Sequence, residues 1–172
     1  LITPALSFAA NGNVSYQQDI KPIFDSKCLA CHGCYDAPCQ LKLETMEGLD
    51  RGASKQPVYN GGRTENADPT RLFIDAQSTA EWRDKGFYSV VDSAWGMKGS
   101  LLYKMLELGK QHEFSANHKL PDDIQLGLAR ENTCPNPDEF DDYADDRPME
   151  GMPLAVTGLT DDEFSTLKEW MH

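Results

Sequence analysis

The chain is poor in positive charge: 16 Lys and Arg stand against 28 Asp and Glu, for a formal net charge of −12. Nucleic acid and anionic lipid surfaces carry the same sign and would repel it, so neither is expected as an electrostatic partner. Also missing is any apolar run approaching the roughly 20 residues that a membrane-spanning helix needs. There is no Gly-rich phosphate loop and no internal repeat, which leaves nucleotide-binding motifs and repeat architectures out. Long uninterrupted elements are scarce too, because 10 Pro and 13 Gly fall between short apolar runs. That pattern predicts short helices joined by long irregular connections, as in a fold organised around a cofactor. What is present, 172 residues of which 40% are hydrophobic, is enough for one domain with a core, read here as residues 11–172.

The first ten residues, LITPALSFAA, are apolar and end in small residues at Ser7, Ala9 and Ala10. They are read as the remnant of a secretory signal with cleavage near Ala9, the alternative being a loose apolar arm. Export places the chain in an oxidising compartment, where free cysteines tend to pair.

The next segment predicts a helix. Ser15 and Gln18 have capping-box spacing, and Tyr16, Ile20, Ile23 and Phe24 follow at helical intervals up to Cys28. Pro22 complicates it, since a proline inside a helix removes a donor and clashes with the preceding turn. Either the helix kinks there or it starts at Asp19 as N-cap, with Pro22 in the tolerated first turn.

That helix delivers CLACH, residues 28–32. Two thiols three residues apart can bond the two vinyl groups of one porphyrin, and the adjacent histidine then lies under the iron. Cys28 and Cys31 are therefore expected as thioether attachments and His32 as proximal ligand of a covalent haem c. A rival reading takes Cys28, Cys31 and Cys34 with the remote Cys134 as a four-cysteine iron–sulfur site. It gives His32 no role.

The far end supplies what haem needs. Gly151, Met152 and Pro153 precede Thr160 and Glu163 at capping-box spacing, and Phe164, Leu167, Trp170 and Met171 mark an amphipathic terminal helix. A loop methionine before such a helix is where a class I cytochrome places its sixth ligand, and methionine opposite histidine raises the haem potential. Met152 ranks first for that role and Met149 second. Met46, Met97, Met105 and Met171 read as core or surface residues.

Between these anchors, SLLYKMLELG predicts a helix from a Ser100 cap to Gly109, with Leu101, Leu102, Met105 and Leu106 on one face. QLKLETMEGLDRG reads as an extended stretch passing into one or two helical turns. DPTRLFIDAQSTAEWRDKGF reads as a turn, an apolar run and a short helix. Residues 136–146 hold six carboxylates around Phe140 and Tyr143, a solvated helix with two anchors, with a calcium site as the weaker alternative. Of the remaining cysteines, Cys34 and Cys39 flank a turn-prone YDAP loop and Cys134 is remote. A disulfide among Cys34, Cys39 and Cys134 is expected, and spacing leaves its pairing open. His112 and His118 are alternative haem ligands, more simply read as solvated side chains.

The run YQQDIKPIFDSKCLACHGCYDAPCQLKLETMEGLDRGAS, continued by DPTRLFIDAQSTAEWRDKGF and ending GMPLAVTGLTDDEFSTLKEWM, resembles the N-terminal haem region of the bacterial fatty acid cis/trans isomerases. CHGCYDAPCQLKLE and RLFIDAQSTAEWR distinguish it from other cytochromes that share CxxCH and a GMP loop. The resemblance implies a mainly α, class I cytochrome c-like domain around covalent haem, in a periplasmic enzyme that converts cis double bonds of phospholipid acyl chains to trans. It implies unsaturated fatty acid or phospholipid acyl chains as substrates, transient membrane contact, and a downstream region of a longer chain as partner. No catalytic residue is assigned. The alternative is an electron-transfer c-type cytochrome domain without isomerase activity, since an iron ligated by both His32 and Met152 offers an alkene no open position.

Overall fold

The computed structural model describes residues 14–56, 58, 68–114, 119–120, 122, 124 and 134–172. The signal-like segment 1–10 and His118 lie outside the described residues. The elements are α1 (Lys21–Lys27), α2 (Leu29–His32), α3 (Met46–Arg51), α4 (Thr79–Asp84), α5 (Leu101–Gln111), α6 (Phe140–Asp146) and α7 (Asp161–Met171). Short 3-10 turns occupy Pro38–Gln40 and Met97–Gly99. Among the described residues the only β pairing is an isolated antiparallel bridge between Ala53 and Tyr88. The architecture is mainly α with irregular connections, as the Pro and Gly distribution predicts.

Pro22 lies in the first turn of α1, as the second expectation has it, although the residue flanking the helix is Ile20 and not Asp19. A π-helical turn, Tyr16–Ile20, runs directly into α1, and the Lys21 N–H bonds the Tyr16 carbonyl five residues back. This wider turn reaches the α-helix at its first residues, where Pro22 needs no donor. The capping box read at Ser15 and Gln18 does not form. The Ser15 hydroxyl caps nothing, and the Asp19 carboxylate instead accepts from the Ser15 N–H at 2.8 Å. Asp19 is thus not the N-cap of α1, whose flanking residue is Ile20.

At the other end the capping box is complete. The Thr160 hydroxyl accepts from the Glu163 N–H and the Glu163 carboxylate accepts from the Thr160 N–H. α7 buries Leu167, and its Trp170 closes an aromatic cluster with the first helix. The Trp170 ring centroid lies 5.9 Å from Tyr16 and 6.5 Å from Phe24, the latter edge-on at 89°. Each such pair contributes about 0.5–1.5 kcal/mol beyond its burial. The two ends of the domain therefore hold each other.

The main core joins Ile20, Ile23 and Phe24 to Leu101, Leu102, Met105 and Leu106 of α5, Phe140 and Tyr143 of α6, and Leu167 of α7. α6 is the acidic helix with two buried anchors that its sequence predicts. Ser100 caps α5, its hydroxyl accepting from the Tyr103 N–H. The helix does not stop at Gly109, however, but continues through Gln111. Gly109 is small for a packing reason: a Cβ there would collide with the Met152 backbone, and one on Gly151 would collide with the Gly109 backbone. A second, smaller core gathers Ala76, Trp82 and Phe87 with Leu72.

The disulfide joins Cys39 to Cys134 across 95 residues of sequence. Cys34 is exposed and unbridged, so the local Cys34–Cys39 pairing does not form. Of the pairings that spacing left open, the structure has the long-range one, with Cys39 in a left-handed backbone conformation (φ 56°).

Candidate functional site

Cys28, Cys31 and His32 occupy a single turn. Cys28 sits at the joint between α1 and α2, its N–H bonded to the Phe24 carbonyl at 2.8 Å. The Cys28 carbonyl in turn accepts from the N–H groups of Cys31 at 3.1 Å and His32 at 2.9 Å. Cys31 and His32 stand three and four residues after Cys28, so each is a near neighbour of Cys28 on this turn. Cys31 is exposed, Cys28 half-buried and His32 buried.

The imidazole is held from behind. His32 Nδ1 lies 3.0 Å from the Leu41 carbonyl oxygen. A carbonyl can only accept, so Nδ1 carries the proton and Nε2 carries the ring lone pair. A backbone bond between the His32 carbonyl and the Leu43 N–H, 3.1 Å, fixes the same segment against α2. A metal-ligating imidazole is commonly oriented in this way, by a hydrogen bond from its other nitrogen.

Burial pushes the Cys28 thiol up to about 12, with Cys31 adding to the shift and Lys27 opposing it. A thiol held neutral is a poor thiolate ligand, whereas a thioether carries no charge to desolvate. The donor set therefore fits covalent haem better than a cluster. Cys134 argues the same way, because its sulfur is committed to Cys39 and the four-cysteine iron–sulfur reading fails. Among the described residues, no group of three or more His, Cys, Asp or Glu side chains could hold a metal ion.

Met152 comes to the same core from the other end of the chain. It is half-buried and packs on the cluster that also receives Cys28 and Leu29. Its N–H bonds the Met105 carbonyl at 2.8 Å, pinning the Gly151–Met152 segment across α5 at Gly109. Met149, the second-ranked candidate, lies half-buried in the preceding turn. Met105 is core, Met46 and Met171 pack on it, and Met97 is half-buried. His112 is half-buried just past the end of α5.

Two lysines that sequence reasoning missed clamp the segment after Met152. Lys27 donates to the Thr157 hydroxyl and the Gly158 carbonyl, both at 3.0 Å. Lys110 donates to the Leu159 carbonyl at 2.8 Å and pairs with Glu113 and Asp161. Apart from Glu113, three residues from Lys110, these partners lie in residues 157–161, remote in sequence from Lys27 and Lys110, so no local pattern announces the clamp. Arg51 was missed as well: it is 1% exposed, with its guanidinium 5.5 Å from the Trp82 ring centroid and 5.0 Å from that of Phe87.

No curated protein and no solved structure matches the chain. Residues 67–172 match the family model described as fatty acid cis/trans isomerase. The matched region takes in α4 to α7, Cys134 and Met152 and begins after CLACH, so it is shorter than the resemblance read from Tyr16 onward. It spans more than half of the sequence, and the chain belongs to the fatty acid cis/trans isomerase family.

Proposed function

We propose that this chain is the haem c-bearing region of a periplasmic isomerase that converts cis double bonds of phospholipid acyl chains to trans. The observation that carries the isomerase reading is the family match over residues 67–172. The cofactor reading is supported by the turn holding Cys28, Cys31 and His32 and by the bond from His32 Nδ1 to the Leu41 carbonyl. Cys28 and Cys31 would hold the porphyrin as thioethers, His32 would ligate through Nε2, and Met152 would be the candidate for a second protein ligand. A Cys39–Cys134 disulfide supports an oxidising, exported location, where c-type haem is attached.

When bound, haem would supply an electrophilic, redox-active iron. The protein's own part is positional. The Leu41 carbonyl sets the His32 tautomer, while Lys27, Lys110 and the Gly109–Gly151 crossing fix the segment that presents Met152. Cis-to-trans conversion moves no atom and no net electron between molecules, so a self-sufficient catalyst needs neither donor nor acceptor.

That balance defines the test. The purified chain is incubated with a cis-unsaturated free fatty acid without redox partners, and the trans isomer is quantified. Trans product in proportion to haem content makes this chain an isomerase in its own right. We expect no product from it alone, rapid reduction by small donors, and activity restored by the downstream region of a longer chain. Reduction without restored activity would leave an electron-transfer domain, and absence of covalent haem would overturn the cofactor reading.

A further inference from the structure

Gln40 is buried with each of its four polar groups bonded. It is 3% exposed, its N–H donates to the Ala37 carbonyl at 2.7 Å, and its carbonyl accepts from Arg51 Nη2. Its side-chain Nε2 donates to the Gln56 carbonyl at 2.7 Å, and its Oε1 accepts from the Thr70 hydroxyl. These partners are joined to one another and to the neighbouring residue. Arg51 Nη1 donates to the Thr70 carbonyl at 2.8 Å, and the Ser54 N–H donates to the Cys39 carbonyl at 2.8 Å. Three separate stretches of chain thus converge on one glutamine.

As a piece of core the arrangement is expensive. Cys39 and Gln40 are consecutive left-handed residues, at φ 56° and 51°, and neither is glycine. Arg51 is almost wholly buried, its guanidinium sits over Trp82 and Phe87, and its Nε–H has no acceptor among the described residues. Desolvating a charge is costly, and well-packed apolar side chains often hold a core as well or better. Unfavourable backbone that converging bonds over-determine points to a function for what it presents.

What it presents is Leu41. The Leu41 carbonyl oxygen lies 3.0 Å from His32 Nδ1, and its N–H is tied back to the Pro38 carbonyl at 3.1 Å. Because peptide units are planar, fixing the Gln40 carbonyl on Arg51 leaves only the two dihedrals of Leu41 to aim the next carbonyl. We propose that Gln40, gripped by Arg51 and Thr70, is a positioning residue for the imidazole: the network aims the Leu41 carbonyl at His32 Nδ1 and so tunes the donor strength of Nε2. This rests on the reading of His32 as an iron ligand. A firm bond from Nδ1–H raises the basicity of the other nitrogen, which favours the higher charge on a bound iron and lowers its reduction potential. Thr70 lies inside the family-matched segment 67–172 and CLACH before it, so the network couples the two.

The test uses the purified chain as isolated, with Thr70→Val removing the hydroxyl that holds Gln40 Oε1 and Thr70→Ser restoring it. Exchange of the His32 Nδ1 proton with solvent is followed by NMR on isotope-labelled chain, and the reduction potential of haem-loaded chain by spectroelectrochemistry. Thr70→Val should speed the exchange about tenfold and raise the potential, and Thr70→Ser should return both toward wild type. Arg51→Lys, which keeps the charge and loses the planar fork, should move both in the same direction as Thr70→Val. Leu167→Ala truncates a buried side chain of α7 outside the network, reports a merely destabilised fold, and should leave both readouts in place. A proton unmoved by Thr70→Val, moved as much by Leu167→Ala, or not restored by Thr70→Ser would each overturn the assignment. Exchange is read with and without haem, so an unmoved proton condemns the positioning role by itself, whereas chain that carries no covalent haem condemns the cofactor reading beneath it.

Discussion

Lys27, the residue immediately before Cys28, reaches Gly158 across 131 residues of sequence and donates to its carbonyl at 3.0 Å. One ammonium therefore ties the CLACH turn to the loop that follows Met152. Lys27→Met removes two hydrogen bonds from a charged donor, and a loss of about 1.5–3 kcal/mol is expected in urea unfolding. Lys27→Arg should recover part of it. If the clamp also sets the sixth ligand, the weak near-infrared sulfur-to-iron band of the oxidised protein should fade in Lys27→Met in parallel.

Attachment at CLACH predicts an unequal mutational response. Cys28→Ala or Cys31→Ala should leave one thioether and weaken covalent retention of haem, and the double change should abolish it on denaturing gels. Haem that survives denaturation of the double variant would sink the assignment.

Thiol counting checks the same chemistry from the other side. Of five cysteines, Cys39 and Cys134 form the disulfide and Cys28 and Cys31 would be alkylated, so unfolded holoprotein should titrate only Cys34. Haem-free chain should titrate three thiols. Changing Cys39 and Cys134 to Ser together should cost about 4–5 kcal/mol by the loop-closure estimate for a cross-link of this span. Cys34→Ser should be close to neutral.

Gly109→Ala would ordinarily stabilise an α-helix interior by up to about 1 kcal/mol. Here the sign should reverse. The new Cβ meets the Met152 backbone, which cannot rotate away as a side chain would, and a net loss of about 1–3 kcal/mol is expected from denaturant midpoints. A gain would show that the α5 crossing is looser than described.

The Asp75 carboxyl is held down to about 2, chiefly by hydrogen bonding to the Arg71 side chain. A depressed carboxylate stabilises the fold fully above the unfolded value near 3.9 and ceases to as pH falls through the folded value. The turn carrying Phe73 and Ile74 should therefore persist unchanged down to about pH 4 and loosen between there and about pH 2. Carboxyl chemical shifts would report the titration, and Arg71→Gln should move it back toward the ordinary range.

Features written locally in the sequence proved legible. The Thr160–Glu163 box, the Ser100 cap, the apolar face of α5 and the two anchors of α6 each depend on residues within one or two turns, where spacing and side-chain chemistry decide the outcome. The same is true of Cys28, Cys31 and His32 sharing a turn. The first-turn place of Pro22 was legible as one of two readings, whereas the π-helical turn before it was not, because that widened turn depends on a backbone register that side-chain identity does not encode. Gly109 was misread as a helix end since its real neighbour, Met152, is distant in the chain. Arg51, the Lys27 clamp and the choice of Cys134 over Cys34 are likewise long-range: each is set by which segments the core brings together.

The disulfide changes the distances that matter before folding is complete. Counted along the backbone, His32 and Met152 are 120 residues apart. Through the cross-link they are only 25 apart, seven from His32 to Cys39 and eighteen from Cys134 to Met152. In loop-closure terms the shorter path lowers the entropic cost of bringing the two side chains together by about 1.4 kcal/mol, roughly a tenfold rise in the effective concentration of each at the other. Oxidation ahead of haem addition would deliver the proposed second ligand already tethered near the first, whereas a reduced chain must find it by diffusion over the full span.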